Sequence, residues 1–356
     1  MIQQHTITTT QKYNFPHPTN DTMLPQRLVQ LSLHTLKTVQ NNTIQLNQQT
    51  IQQPNTETHT IQLNPKPITL KPNRTPTTIA AVDTSNIKIG ETPTGIIAAV
   101  RGAAVWKQNK HYHYTRLGPF LFHITEENKR QLYQTLANAY LNTNNAIHAY
   151  PLNLTQMPNR IANLLEKWLQ TTLTKTLTNS LILLDGSLTA GTPDTPTQQM
   201  KETLYNARKR NNTVLAFSKM TNLRANGYLI TDALPPYTPP YMLETYGLKP
   251  KPPTVLLGEV YVAKLTNGNY AFRLDIDKEI TYEQKIEAVQ KLLGNDHLQQ
   301  SYPETLRLAH ILCTFTANEV IAMQHFTTRH YNLKIVNRPD MHRLLFGPYG
   351  KGDLNA

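Results

Sequence analysis

The 356-residue sequence predicts an α/β fold, a mixed sheet flanked by helices with a helical extension at the N-terminus. Two observations predict it. Unbroken apolar runs, Leu181–Leu184 and Ile79–Val82, each end at an aspartate followed by small or hydroxyl residues, the pattern of a buried strand closed by a turn. Between and after these runs stand stretches with helical apolar spacing, so that strands and helices alternate as in a layered α/β domain.

Residues 1–75 read as an N-terminal extension and linker. They are rich in Thr, Gln and Asn, and Thr-Ile-Gln-Leu-Asn occurs at 43–47 and again at 60–64, an echo best read as compositional bias. Met23 to Val39, with Leu24, Leu28, Leu31, Leu33 and Leu36, predicts an amphipathic helix. A Pro-dotted linker, Pro65 to Pro76, enters the main domain at 76–335, and 336–356 is a C-terminal tail.

The strand ending at Asp83 is followed by Gly95 to Trp106 and His111 to Ile124, an antiparallel meander. Helices are expected over 126–141 and 158–177, with Pro158 in a first turn, then the strand 181–185. A helix over 197–210 leads to the strand Thr213 to Lys219. Three antiparallel strands followed by helices alternating with parallel strands is the order of a ribonuclease-H-like sheet. Pro235 to Pro253 reads as a long loop in which Tyr237, Tyr241 and Tyr246 stack on unpaired bases or serve packing. A hairpin around Asn267-Gly268 and helices at 282–293 and 303–328 complete the domain.

The balance of 35 Lys+Arg against 23 Asp+Glu, a net charge of +12, favours a polyanionic partner, nucleic acid before membrane. The single cysteine, Cys313, excludes a disulfide framework and reads as packing. No signal segment or long apolar span is evident, which predicts a soluble, cytoplasmic, nucleoid-associated protein. A Gly-rich phosphate loop ending in Gly-Lys-Ser/Thr is missing, so a nucleotide-driven motor would have to be a partner.

Only ten aspartates occur, and two of them, Asp83 and Asp185, end apolar strands. Carboxylates delivered from neighbouring strand ends suit Mg²⁺ or Mn²⁺, and paired ions clamp the oxygens of a phosphodiester. Two acids leave such a site short of ligands, so a third is expected from a helix. Glu166 lies beside the apolar stripe of Leu165, Trp168, Leu169 and Leu173, whereas Glu202 has Lys201 beside it and no such context.

The motifs Ala-Val-Asp83-Thr-Ser, Leu-Leu-Asp185-Gly-Ser-Leu, Ala-Phe-Ser-Lys219, Phe-Arg273-Leu-Asp275 and Ser-Tyr302-Pro-Glu-Thr-Leu-Arg-Leu-Ala-His310 together resemble the NurA family of DNA-end nucleases, from about Thr78 to His330. The resemblance implies a ribonuclease-H-like fold and Mn²⁺-dependent 5′-to-3′ exonuclease and single-strand endonuclease activity in DNA-end resection. It also implies a homodimer docked on the hexameric HerA translocase, with DNA ends, single- and double-stranded, as substrate. Carried over, the resemblance implies that Asp83, Glu166 and Asp185 are ligands for a pair of Mn²⁺ or Mg²⁺ ions, and that Tyr302 and His310 complete the site. Thr84 stands where the family shows glycine, which leaves the turn after Asp83 open.

Each residue also has an ordinary reading. Asp185 caps turns readily, Lys219 suits a solvated strand end as well as a phosphate, and His310 suits a satisfied core histidine. Lys201, Arg208, Lys209 and Arg210 form either a DNA-backbone contact or a solvated helix end. A non-catalytic DNA-binding or clamp protein on the same fold is the competing class.

Overall fold

The computed structural model describes residues 23–336 apart from 39, 42, 46–60, 142–151, 226–227 and 233; residues 1–22 of the expected extension and 337–356 of the expected tail lie outside the described residues. The described residues begin with helix α1 (Met23–Lys37) and three short strands, β1 (Thr43–Gln45), β2 (Gln62–Leu63) and β3 (Ile68–Thr69). Three long strands follow, β4 (Ile79–Thr92), β5 (Gly95–Gln108) and β6 (His111–Thr125). Helices α2 (Lys129–Leu141) and α3 (Met157–Thr176) lead to β7 (Leu181–Asp185) and the short β8 (Thr189–Ala190). Helix α4 (Thr197–Lys209) and β9 (Thr213–Ser218) come next, then the small hairpin of β10 (Arg224–Ala225) and β11 (Tyr228–Leu229). Strands β12 (Tyr241–Tyr246), β13 (Val255–Leu256), β14 (Gly258–Lys264) and β15 (Phe272–Asp277) precede helix α5 (Tyr282–Asn295). The bridge of β16 (Leu298–Gln299) and β17 (Tyr302–Pro303), helices α6 (Glu304–Cys313) and α7 (Ala317–Tyr331), and β18 (Lys334–Val336) complete it.

The meander β4-β5-β6 is antiparallel, and β7 and β9 continue the sheet parallel to β4. This spatial order, β6-β5-β4-β7-β9, is that of a ribonuclease-H-like core. Strands β15, β14 and β12 extend it in antiparallel fashion beyond β9. The strands are continuous apolar runs because both faces are covered. Ala80, Val82, Ile182 and Leu184 pack into one cluster with Leu165, Trp168 and Leu169 of α3. Ile79, Ala81, Leu181 and Leu183 face the other way, against Val289 and Leu292 of α5 and Leu306 and Ala309 of α6.

Three expectations change. Residues 235–253 hold strand β12 rather than one long loop. Proline cannot donate to a sheet ladder, and Tyr241–Tyr246 is the proline-free window between Pro240 and Pro250. Tyr241 is consequently buried, while Tyr237 donates to Pro65 O at 2.9 Å and Tyr246 to Glu244 at 2.6 Å. The expected helix 303–328 is two helices. Thr316 and Glu319 form a capping box that starts α7 anew, and Arg101 of β5 donates to Thr314 O at 3.0 Å at the break. Strand β4 also continues past Asp83 to Thr92, so no turn follows the first acid and Thr84 lies in extended backbone.

The described part of residues 1–75 is built into this sheet. β2 and β3 pair with β12, and β1 pairs with both β4 and β18. Helix α1 docks on β6 through the buried His123, whose Nδ1 lies 3.0 Å from Thr38 Oγ1 and Nε2 2.9 Å from Thr92 Oγ1. Burial lowers the His123 pKa to about 4, below its ordinary 6.5. A group depressed in this way contributes stability above its unfolded pKa and loses it as pH falls through the folded value. The loss should amount to about 3 kcal/mol between pH 6.5 and pH 4. Denaturant titrations over that range should therefore be steeper in pH for the wild type than for His123→Asn. Equal slopes would place the acid sensitivity elsewhere.

Candidate metal centre

At Asp83 the sheet divides. β7 pairs with β4 from Ile79 to Val82 only, opposite Leu181 to Leu184. β4 next has a partner on that edge at Glu91, opposite Gln45 of β1. Between these points no described strand covers the edge, because β7 ends at Asp185 while β4 runs on. A cleft beyond the carboxyl ends of parallel strands results, the position expected for a ligand site in an open α/β sheet.

Strand alternation decides where the acids point. Asp83 follows the parity of Ala81, and Asp185 that of Leu183, so both face the side covered by α6. There the His310 Nδ1 lies 2.7 Å from Asp83 Oδ2, and the Thr84 N–H donates to Asp83 Oδ1 at 2.7 Å. Lys219, just past β9, sets its Nζ 2.6 Å from Asp185 Oδ2. The same ammonium lies 5.7 Å from the centre of the Tyr302 ring, which packs on Phe217 and Phe272. The Tyr302 hydroxyl is buried and has no hydrogen-bond partner among the described residues.

Glu166 comes from α3, in the opposite layer. Thr84, one residue on from Asp83, points to that layer and donates from Oγ1 to Glu166 Oε2 at 3.4 Å. Gln170, one helical turn along, donates to Glu166 Oε1 at 2.6 Å and in turn accepts from Lys167 Nζ at 3.1 Å. Thr84 thus takes a role glycine could not, tying the third acid to the first.

The turn carrying Asp185 is fixed from behind. Gly186 adopts φ +108, a conformation costly to a side-chain-bearing residue, and its N–H donates to Phe217 O at 2.8 Å. Ser218 Oγ donates to Gly186 O at 2.7 Å. Asp275, fully buried, accepts two 2.7 Å bonds from Arg273 and a 3.0 Å bond from the Leu188 N–H. Its partners show that it clamps the turn rather than facing the cleft. At Gly258 an added Cβ would meet the Asp275 and Leu188 Cβ atoms at 2.9 Å, so this clamp leaves no room for a side chain.

The electrostatics are those of acids whose burial and mutual repulsion are only partly offset. Burial raises the Glu166 pKa to about 7; Lys167 opposes the shift, and the charges of Asp83 and Asp185 add to it. Burial also raises Asp83, with the His310 hydrogen bond opposing and Asp185 adding. The Tyr302 hydroxyl is raised by burial and by both aspartates. Asp83, Asp185 and Glu166 offer carboxylate oxygens, the kind of ligand a hard divalent cation takes.

The sequence-derived basic residues lie along α4 and just past its end. α4 runs back along the sheet, and Arg210 O accepts from the Asn179 N–H just before β7 begins. Lys209 and Arg210 therefore lie at the far end of a five-residue strand from Asp185, about 17 Å away by strand rise. Arg208 is paired with the buried Asp277 at 2.5 Å, while Lys201 is exposed nearer the start of α4. Glu202 is exposed on that helix too. Cys313, read from the sequence as packing, belongs to this neighbourhood. Asp83, His310 and Cys313 offer ligand atoms that all lie within 4.8 Å of one another. The three-residue spacing from His310, which puts both on one helix face, was the available signal.

A meander continued by two parallel strands, with acids at the point where the first and fourth part, defines a ribonuclease-H-like protein. The family model described as NurA domain matches residues 77–247, a span that holds Asp83, Glu166, Asp185 and Lys219 but not Tyr302 or His310. This stretch, just under half of the chain, is similar to the NurA domain. No curated protein matches the sequence. Among solved structures, the NurA nuclease from Sulfolobus solfataricus is similar at 16% identity and TM-score 0.42, over 75% of this chain and 87% of that one. An endonuclease V from Bacillus subtilis is similar at 13% identity and TM-score 0.33, over 75% of this chain and 88% of that one.

An acid whose folded pKa exceeds its unfolded value weighs on the fold above the folded pKa and ceases to do so below the unfolded one. For Glu166 that window lies between about 7 and 4.5. Glu166→Gln should therefore raise the melting temperature of the ion-free protein at pH 8, change it little at pH 4.5, and remove most of the rise that Mn²⁺ produces in the wild type. A lower melting temperature at pH 8 with the Mn²⁺ response intact would take Glu166 out of the centre.

Proposed function

We propose that the protein is a divalent-metal-dependent deoxyribonuclease that hydrolyses phosphodiester bonds at DNA ends. The reading rests on two aspartates at adjoining strand ends and on Glu166, tied to them through Thr84, with burial raising the carboxyl pKa values of Asp83 and Glu166. The NurA domain supports the same class. Asp83, Glu166 and Asp185 would hold the cations, Mn²⁺ or Mg²⁺, as a pair. Bound there, such ions neutralise phosphate charge and acidify an attacking water.

The side chains around the acids supply the rest. Lys219, exposed at 38% of its side-chain surface, is free enough to turn from Asp185 towards a phosphate oxygen and act as a point charge. His310 is half exposed, and with Nδ1 held by Asp83 its other nitrogen is left to accept or return a proton. The Tyr302 hydroxyl, raised in pKa and therefore protonated, is a donor towards a phosphate oxygen. The +12 balance supplies long-range attraction for the polyanion, with Lys201, Lys209 and Arg210 as exposed contacts along the backbone path. In the finer reading, the enzyme acts as a 5′-to-3′ exonuclease and single-strand endonuclease in end resection during double-strand-break repair. It does so in the cytoplasm, at the nucleoid, as a homodimer working with a HerA-like hexameric translocase.

Incubation of end-labelled DNA with and without Mn²⁺ tests this. Asp83→Asn and Asp185→Asn should each abolish cleavage while keeping DNA binding. Glu166→Gln should lose at least ten-fold, about 1.4 kcal/mol in the barrier, and Glu202→Gln should stay near wild type. Metal-independent binding with no cleavage by the wild type would instead favour a DNA-binding or clamp protein.

A further inference from the structure

Helix α6 brings a sulfur to the edge of the carboxylate cleft. His310 and Cys313 are three residues apart and project from one face, and the Cys313 Sγ donates to His310 O at 3.2 Å. Cys313 is fully buried, whereas His310 is half exposed. Asp83 closes the triangle through the 2.7 Å contact to His310 Nδ1. One carboxylate, one imidazole and one thiol within 4.8 Å of one another are a different donor set from the oxygen ligands beside them. Hard cations such as Mn²⁺ and Mg²⁺ gain little from sulfur, whereas Zn²⁺ takes sulfur, nitrogen and oxygen together in a tetrahedron.

We propose that Asp83, His310 and Cys313 form a second, sulfur-containing site for Zn²⁺, which shares Asp83 with the all-oxygen centre and therefore excludes the hard cation from it. Zn–N and Zn–O bonds of about 2.0 Å at the tetrahedral angle set the two ligand atoms about 3.3 Å apart. The contact between His310 and Asp83, now 2.7 Å, must then open by about 0.6 Å, a movement a half-exposed ring can make. The sulfur must draw in to about 3.5 Å from each of the other two. On binding, the Cys313 thiol loses its proton to water, the His310 proton on Nδ1 passes through water to Nε2, and the ion replaces the hydrogen bond between His310 Nδ1 and Asp83. No electron changes hands. A fourth position stays open, as in zinc sites that bind a further ligand.

The Zn²⁺ site stands independently of the nuclease reading; only the mutual exclusion rests on it. The test uses the full-length protein, without DNA, and Co²⁺ as the probe. Because the sequence holds a single cysteine, any thiolate-to-cobalt charge-transfer band must arise from Cys313. The wild type should develop this band at one equivalent of Co²⁺ and lose it when Zn²⁺ is added. Cys313→Ser should show no band and bind Zn²⁺ at least ten-fold more weakly in competition with a chromophoric chelator. Saturating Zn²⁺ should also prevent Mn²⁺ from binding to the wild type. A wild-type protein with no charge-transfer band would overturn the proposal however the variant folds, as would equal Zn²⁺ affinity in wild type and Cys313→Ser. A protein that gives the band but cleaves no DNA would refute the nuclease and leave the zinc site standing.

Discussion

Everything at the cleft depends on a mismatch in strand length. β7 stops at Asp185 and β9 at Ser218, while β4 continues to Thr92, so the sheet opens immediately after Val82 and Leu184. The first residues beyond the shared ladder are the two aspartates. Apolar burial on both faces holds the strands rigidly up to that point, and rigid strands hold carboxylates together that would separate if they were free. The repulsion among Asp83, Asp185 and Glu166 is therefore built in by the core.

The protein offsets this repulsion locally and only in part. His310 answers Asp83, Lys219 answers Asp185, and Gln170 with Thr84 answers Glu166. The Lys219 pair is more than a third exposed on the lysine side, and such pairs contribute about 0–1 kcal/mol. A divalent ion bound among the three carboxylates, as proposed, would outweigh such contacts by charge. The Arg273–Asp275 clamp differs: it is buried, doubly bonded and directed at the turn behind Asp185, so it fixes geometry without supplying charge to the cleft. The edge strands from residues 61–75 and the helix α1 serve the same rigidity from further out.

Much of this was legible in the sequence. The meander, the two parallel strands and the helices between them follow from apolar runs and their spacing, and the two aspartates stand out because they end those runs. Glu166, read from the sequence as lying beside the apolar stripe of α3, is half-buried there and within reach of Thr84. Strand β12 was hidden because seven prolines around a six-residue window dominate its local pattern. The α6–α7 break was signalled by Thr316 and Glu319, yet the apolar periodicity ran across it. Strand β4 could not be followed past Asp83, since polar Thr84, Ser85 and Asn86 read as a turn until β5 is seen opposite them. Arg208 and Cys313 depended on tertiary partners, Asp277 and Asp83, that lie 69 and more than two hundred residues away along the chain.

The most direct measurement of the central claim is a crystal structure grown with Mn²⁺ and recorded at the manganese absorption edge. The account predicts anomalous density bounded by carboxylate oxygens of Asp83, Asp185 and Glu166, with Lys219 displaced from Asp185. Density elsewhere, or a cleft in which the three acids keep their present partners at saturating Mn²⁺, would contradict it.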